Sequence, residues 1–264
     1  MSTFETISHP GSLKVGKHPA RFFLKERGAE IPHDLAGNED EGEEKQLKKL
    51  PAYKERDLHP VLTYYASAAP TFNRGREILT KTIYHEKAKK PGYSEWNYPD
   101  MVGFSIPLED WKDDVIKFNE LIDRNALTLF SFELKKHLTK STYREAYFQT
   151  VSNSSWAHQG YLVAADIDQD DDLLAELQRL VSSFKIGIIQ LSLADPSQSE
   201  VLYPASPKSA LDWETINKLC EQNENFEEFV RSVTIDVNAR KLHRHEYDSV
   251  IKDIEAYVLK LRQG

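Results

Sequence analysis

The sequence predicts an α/β protein, and three observations carry that expectation. Short runs rich in β-branched and aromatic residues alternate with stretches whose apolar residues recur at helical spacing. One run, Lys185-Ile186-Gly187-Ile188-Ile189-Gln190-Leu191-Ser192-Leu193, is apolar almost throughout and marks a buried strand. The chain has 264 residues, 40% of them hydrophobic and four of them Trp, enough for one sizeable core plus a smaller appendage.

Residues 1–27 contain Phe4-Glu5-Thr6-Ile7 and Ala20-Arg21-Phe22-Phe23-Leu24, two short runs separated by Gly and Pro that predict a β-hairpin. Residues 28–57 are charged, carry Gly, Pro and the block Glu39-Asp40-Glu41-Gly42-Glu43-Glu44, and read as a linker. Within a core over residues 58–205, Ile78, Leu79, Thr82 and Ile83 form an apolar stripe that predicts a helix from Arg74 to His85. The apolar residues after Pro99 in Tyr98-Pro99-Asp100-Met101-Val102-Gly103-Phe104 predict a short strand ending near Ser105 and Ile106. A second strand is expected in Leu127-Thr128-Leu129-Phe130-Ser131-Phe132-Glu133-Leu134-Lys135. It is followed by a helix from Thr142 to about Trp156 and the strand Tyr161-Leu162-Val163-Ala164-Ala165. The run Asp166-Ile167-Asp168-Gln169-Asp170-Asp171-Asp172 lacks the Gly and terminal Glu of a calcium loop. It is expected to lead into an amphipathic helix from Leu173 to Phe184. Residues 206–264 read as mostly helical, from Asp212 through Val230 and from His245 to Leu261. No internal repeat is visible.

Asp100 and, 33 residues later, Glu133-Leu134-Lys135 are the candidate chemistry. In a strand, residues i and i+2 share a face, so Glu133 and Lys135 should project together. A phosphodiester is already anionic and hydrolyses slowly. An enzyme answers with a divalent cation that neutralises charge and lowers the pKa of a bound water. Mg²⁺ takes oxygen ligands, commonly one or two carboxylates with water and phosphate completing the shell. A neighbouring ammonium can stabilise charge on the scissile phosphate or orient the attacking water. Without metal, the facing carboxylates would raise one another's pKa, and Lys135 would partly relieve them. In a chain with 29% charged residues such a pattern also arises by chance, the competing reading being solvated charges at a strand end. The order helix, Asp strand, Glu/Lys strand, helix, strand favours the catalytic reading.

That order and those residues resemble the PD-(D/E)XK, or restriction-endonuclease-like, nuclease superfamily over roughly residues 58–235. More specifically, the chain is similar to bacterial proteins that join a HARE-type winged helix to such a nuclease domain. The likeness runs through Thr80-Lys81-Thr82-Ile83-Tyr84-His85-Glu86, Glu95-Trp96-Asn97-Tyr98-Pro99-Asp100-Met101-Val102-Gly103, Phe130-Ser131-Phe132-Glu133-Leu134-Lys135-Lys136, and Tyr147-Phe148-Gln149-Thr150-Val151-Ser152-Asn153-Ser154-Ser155-Trp156-Ala157. The resemblance implies a restriction-endonuclease-like core, a mixed central sheet flanked by helices, with an N-terminal β-hairpin remnant and C-terminal helices. It makes residues 1–27 the wing of a shortened or residual winged helix. It implies that Asp100 and Glu133 hold Mg²⁺ or Mn²⁺ and that Lys135 is catalytic. Many members add an acid from the preceding helix, here Glu86 or Glu77; Glu95, in the loop before the Asp strand, is a third option. Some branches carry a Gln on the helix after the Glu/Lys strand, followed four residues later by Tyr. Gln149 stands at that place, with Asn153 instead of the Tyr.

Net charge is −8, which argues against a whole-protein nucleic-acid clamp, since phosphate binding relies on Lys and Arg. The distribution is uneven. Lys81, Lys87, Lys89 and Lys90, with Lys135, Lys136, Lys140 and Arg144, group around the candidate centre in sequence and predict a basic rim. Lys81, Lys136, Arg144 and Gln149 are the expected nucleic-acid contacts, with Asn153 and His158 as further polar groups on or after the same helix. Arg240-Lys241-Leu242-His243-Arg244-His245 reads as an inter-helix turn in preference to a second phosphate patch. Cys220 is the single cysteine, so no internal disulfide or cysteine-based zinc site is available. Mean hydropathy of −0.57, with no long apolar run, excludes a transmembrane helix. The start Met1-Ser2-Thr3-Phe4-Glu5 lacks a secretory signal pattern, and a cytoplasmic protein is expected. The expected activity is a Mg²⁺-dependent endonuclease acting on DNA in restriction or related defence, with a homodimer supplying two centres for double-strand cleavage. The alternatives are a DNA-binding or regulatory protein that keeps the scaffold without cutting, and cleavage of RNA.

Overall fold

The structure, a computed structural model, describes residues 12–15, 21–24, 53–69, 72–89, 98–122 and 126–263. The chain divides into two compact units, residues 1–50 and 51–264. In the first, β1 (Ser12–Val15) pairs antiparallel with β2 (Arg21–Leu24), Ser12 opposite Leu24 and Val15 opposite Arg21. The second strand of the predicted hairpin thus falls in the expected place. Its partner is Ser12–Val15, where Leu13 and Val15 alternate with Lys14; Phe4–Ile7 lies outside the described residues. Of the predicted linker, residues 28–52 also lie outside them. Its last residues open a 3-10 turn, Glu55–Leu58, that runs directly into α1 (His59–Ala68).

The larger unit is built on a six-stranded sheet in the order β3-β4-β5-β6-β7-β8. These strands are β3 (Leu79–Thr82), β4 (Met101–Ser105), β5 (Thr128–Leu138), β6 (Gln159–Ile167), β7 (Gly187–Gln190) and β8 (Glu200–Tyr203). The pairs β5–β6 and β6–β7 are parallel and the other three antiparallel, so the sheet is mixed. Parallel neighbours need a crossover, supplied by α3 (Tyr143–Asn153) and α4 (Asp171–Phe184); α2 (Asp113–Ile122) precedes β5. The chain closes with α5 (Trp213–Gln222), α6 (Glu224–Ala239) and α7 (Ile254–Gln263).

Alternation along the strands sorts the core into two faces. On one, Phe130, Phe132, Leu134, Tyr161, Val163 and Ile189 pack with Val61, Leu62 and Tyr65 of α1 and Ile254 and Val258 of α7. On the other, Leu162, Ala164 and Ile188 pack with Tyr147 of α3 and Leu173 and Leu177 of α4. That face continues through Val102, Phe104 and Leu129 to Ile216 of α5 and Phe226 and Phe229 of α6. Both faces are covered, which explains why β4 and β5 read as near-continuous apolar runs.

Three predicted helices are corrected. Leu79–Thr82, inside the expected Arg74–His85 helix, is a strand. Asn73, Arg74 and Gly75 turn the backbone into the left-handed region, with φ of 47°, 59° and 74°, and prevent a helix from starting there. For the two non-glycine residues that conformation costs roughly 1–2 kcal/mol each. The stripe Ile78, Leu79, Thr82, Ile83 arises because β3 is buried on both sides, a pattern that helical spacing also satisfies. The expected helix Asp212–Val230 breaks at Asn223, whose side chain caps α6 by accepting from the Asn225 and Phe226 amides. The last helix begins at Ile254, not His245; Asp253 accepts from the Ala256 amide at its start. Helices α1 and α2 and the short edge strand β8 carried no signal in the sequence reading. No described helix is long and apolar enough to cross a membrane.

Candidate active site

The β4–β5 ladder pairs Met101 with Phe132 and Phe104 with Leu129. One step beyond Met101, Asp100 therefore stands opposite Glu133, on the same face of the sheet. Here the two strands part, and the Asp100 carboxylate turns onto β5, accepting from the Leu134 amide at 2.7 Å. Lys135, two residues after Glu133, donates to its Oε1 at 2.9 Å. The strand thus holds all three predicted groups together, and the i, i+2 expectation is met.

Four further residues complete the centre. Asn153, the last residue of α3, donates from Nδ2 to Glu133 Oε2 and to the Tyr98 carbonyl, both at 3.0 Å. Its own backbone carbonyl accepts from Ser131 Oγ and Trp156 Nε1, which fixes the helix end over β5. His85 Nε2 lies 3.6 Å from Asp100 Oδ1. Glu55, in the turn before α1, approaches Lys135 Nζ at 3.8 Å. His59, one turn on, bonds through Nδ1 with Thr82 Oγ1 at 3.2 Å. Thr82 in turn donates to Asp248, which burial pushes up to about 6. None of these contacts follows from spacing in the sequence, because each joins segments that only the fold brings together.

Electrostatics separate the two carboxyls. Glu133 is 1% exposed; burial first, and then the Asp100 charge, push it up to about 7 against the opposing pull of Lys135 and Asn153. Burial also works against ionised Asp100, but His85, Lys135 and the Leu134 amide outweigh it and hold that carboxyl below its ordinary value. Burial likewise opposes the Lys135 charge; Glu133, Asp100 and Glu55 overcome it and keep the ammonium protonated. His59 is lowered to about 4 by burial and is neutral at pH 7. At neutral pH the centre therefore holds a firm carboxylate, a carboxyl poised to exchange a proton, and a cation.

The donor set suits a hard divalent cation. Asp100 and Glu133 are two carboxylates in register, and their repulsion is relieved by positive charge between them. Asn153 Oδ1, on the amide that touches Glu133, is buried and accepts no hydrogen bond. The described residues contain no group of three or more His, Cys, Asp or Glu arranged to hold a metal. A cation held by these two carboxylates alone would leave most of its coordination shell to other ligands.

The remaining predicted residues are distributed differently. Glu86 sits on a 3-10 turn with its carboxylate on Arg56, and Glu77 pairs with Arg244, so neither joins Asp100 and Glu133. Glu95 and Lys90 lie outside the described residues. Lys81 donates to the Glu246 carbonyl and pairs with Glu228. Lys87, Lys89, Lys140 and Arg144 pair with Glu224, Glu227, Asp170 with Asp172, and Glu176 respectively. The expected basic rim is therefore largely engaged with acids of the helices behind it. Lys136 is half-buried and forms no ion pair with a described residue; burial raises the Glu55 carboxyl above its ordinary value, and the Lys136 charge pulls against that rise. Gln149 is half-buried on α3, one turn before Asn153. His158 accepts the Leu129 amide at the start of β5, away from the centre.

Comparison with family models, with curated proteins and with solved structures returned no match to this chain.

Proposed function

We propose that this protein is a metal-dependent endonuclease that hydrolyses DNA phosphodiester bonds at Asp100, Glu133 and Lys135, with a restriction-endonuclease-like core as its scaffold. The observation that carries the reading is Lys135 Nζ at 2.9 Å from Glu133, with Asp100 bound to the Leu134 amide between them. An ammonium, two carboxylates and a buried strand backbone are thereby held together.

Asp100 and Glu133 would hold Mg²⁺ or Mn²⁺, which supplies charge neutralisation at the phosphate and a bound water of lowered pKa. Lys135 keeps its proton and offers it to the charge that builds on phosphate oxygens. Glu133, titrating near 7, can hold a proton or release it as the site fills. Asn153 and the Leu134 amide fix the carboxylate orientations, so little reorganisation is left for the reacting state. With most cations engaged, DNA would be held by a limited set of groups, including Lys136 and Gln149. Double-strand cleavage would call on two copies of the chain, each bringing one centre.

Purified protein incubated with supercoiled plasmid and Mg²⁺ or Mn²⁺ should nick or linearise it. Asp100→Ala and Glu133→Ala should abolish this while circular dichroism shows an intact fold. Cleavage that survives either substitution sinks the assignment. Binding without nicking in both metals favours a DNA-binding or regulatory role, and cleavage confined to an RNA substrate reassigns the nucleic acid.

A further inference from the structure

A second, differently charged site lies at the other end of β5. A cavity of about 430 Å³ is lined by Asn73, Arg74, Arg76, His158, Gln159 and Lys208, together with Leu127, Thr128 and residues flanking Lys208, and none of the described residues lining it is acidic. In a chain of net charge −8 this is an unusual composition. Thr128 is five residues from Glu133, roughly 17 Å along the strand, so the cavity is separate from the candidate active site.

Several lysines elsewhere in the fold are neutralised. Lys81, Lys87, Lys89, Lys135 and Lys140 all pair with carboxylates. Arg74, Arg76 and Lys208 form no ion pair among the described residues; Arg76 stacks on Trp111 at 5.0 Å and also lines the adjacent cavity, whose wall includes Glu77, Glu109 and Asp110. The adjacent cavity of about 280 Å³ shows the contrast: its Arg244 is clamped between Glu77 and Glu109. Lys208 is half-buried and tied through Nζ to the Ser154 carbonyl at 3.1 Å. Asp212, whose charge acts on it, accepts from the Thr215 amide and hydroxyl.

The backbone adds a second, independent observation. Asn73, Arg74 and Gly75 are all left-handed, closed by the Arg76 amide on the Asn73 carbonyl and by Asn73 Nδ2 on the Arg76 carbonyl. Strain of this kind concentrates where a ligand clamp is set in advance, and here it sets the turn that carries both arginines. His158 Nδ1 accepts the Leu129 amide, which fixes the neutral tautomer with its proton on Nε2, another donor in the cavity wall.

We propose that this cavity binds a phosphate-bearing small molecule of mononucleotide size. Two guanidiniums and an ammonium match phosphoryl oxygens, since guanidinium forks bind them bidentately. The volume exceeds that of a lone phosphate and falls within the range of small-molecule sites. This assignment does not rest on the nuclease reading.

Isothermal titration of the full chain in EDTA and low salt, with AMP, ATP, inorganic phosphate and a 5′-phosphorylated twelve-nucleotide strand as probes, tests it. AMP or ATP should bind, and more tightly than phosphate. Arg74→Glu, at an exposed position without a described partner, should weaken binding by at least about tenfold with an unchanged melting temperature. Arg76→Gln should weaken it in the same direction. Absence of nucleotide binding, binding indifferent to both substitutions, inorganic phosphate matching the nucleotides, or a clear preference for the strand that Arg74→Glu abolishes would each overturn the proposal.

Discussion

Glu133→Gln isolates the energetic consequence of burying a carboxyl between Asp100 and Lys135. The group rises from the ordinary 4.5 to about 7 on folding, so between those pH values the folded chain binds a proton that the unfolded chain has lost. Stability from this group is fully present below about pH 4.5 and declines as pH rises through about 7. At roughly 1.4 kcal/mol for each pH unit of displacement, the loss has a ceiling of about 3 kcal/mol. Glutamine mimics the protonated form at every pH. The variant should match the wild type near pH 4.5 and exceed it by roughly 2–3 kcal/mol at pH 8, or roughly 5–10 °C in melting temperature for a unit of this size. Urea denaturation of both proteins in EDTA, from pH 4.5 to 8.5, gives the difference directly. A difference independent of pH, or one that shrinks toward pH 8, would refute the burial and coupling argument.

Other perturbations probe the same centre. Divalent cations bind ionised carboxylates, so Mg²⁺ or Mn²⁺ should raise the melting temperature more at pH 8 than at pH 5.5, and not at all in Glu133→Gln; thermal scans at several metal concentrations measure this. Lys135→Met leaves Glu133 without its cation and should cost on the order of 3 kcal/mol at pH 8, with a smaller loss at pH 4.5, read by urea denaturation. Asn153→Ala removes the donor to Glu133 and to the Tyr98 carbonyl and should destabilise by roughly 1–3 kcal/mol. Its loss should also raise the Glu133 titration further, visible by NMR of a side-chain-labelled sample.

The residues that strand geometry alone brings together were legible in the sequence. Glu133 and Lys135 share a face because they are two apart, and Asp100 meets them because β4 and β5 are neighbouring antiparallel strands in register. Asn153 was hidden, since its role comes from α3 ending over β5, and in the linear pattern it looked like a departure from the expected Tyr. Glu55 and His59 lie before the first predicted core element, on a turn and a helix that the sequence pattern does not mark. Glu86 and Glu77, attractive as helix-borne acids, lost that place when the helix itself proved to be β3. The failure at β3 is instructive: a four-residue strand buried on both faces has no alternation, and its length was concealed by apolar neighbours on either side. The basic rim failed for another reason. Lysines near one another in sequence faced acids of α4 and α6, which are remote in sequence.

In the proposed function Asp100 and Glu133 jointly hold a divalent cation beside Lys135. Diffraction from a crystal grown with Mn²⁺, recorded at the manganese edge, tests it most directly. An anomalous peak touching a carboxylate oxygen of both residues is expected. Saturating Mn²⁺ with no peak there, or a peak bound by other side chains, would contradict it.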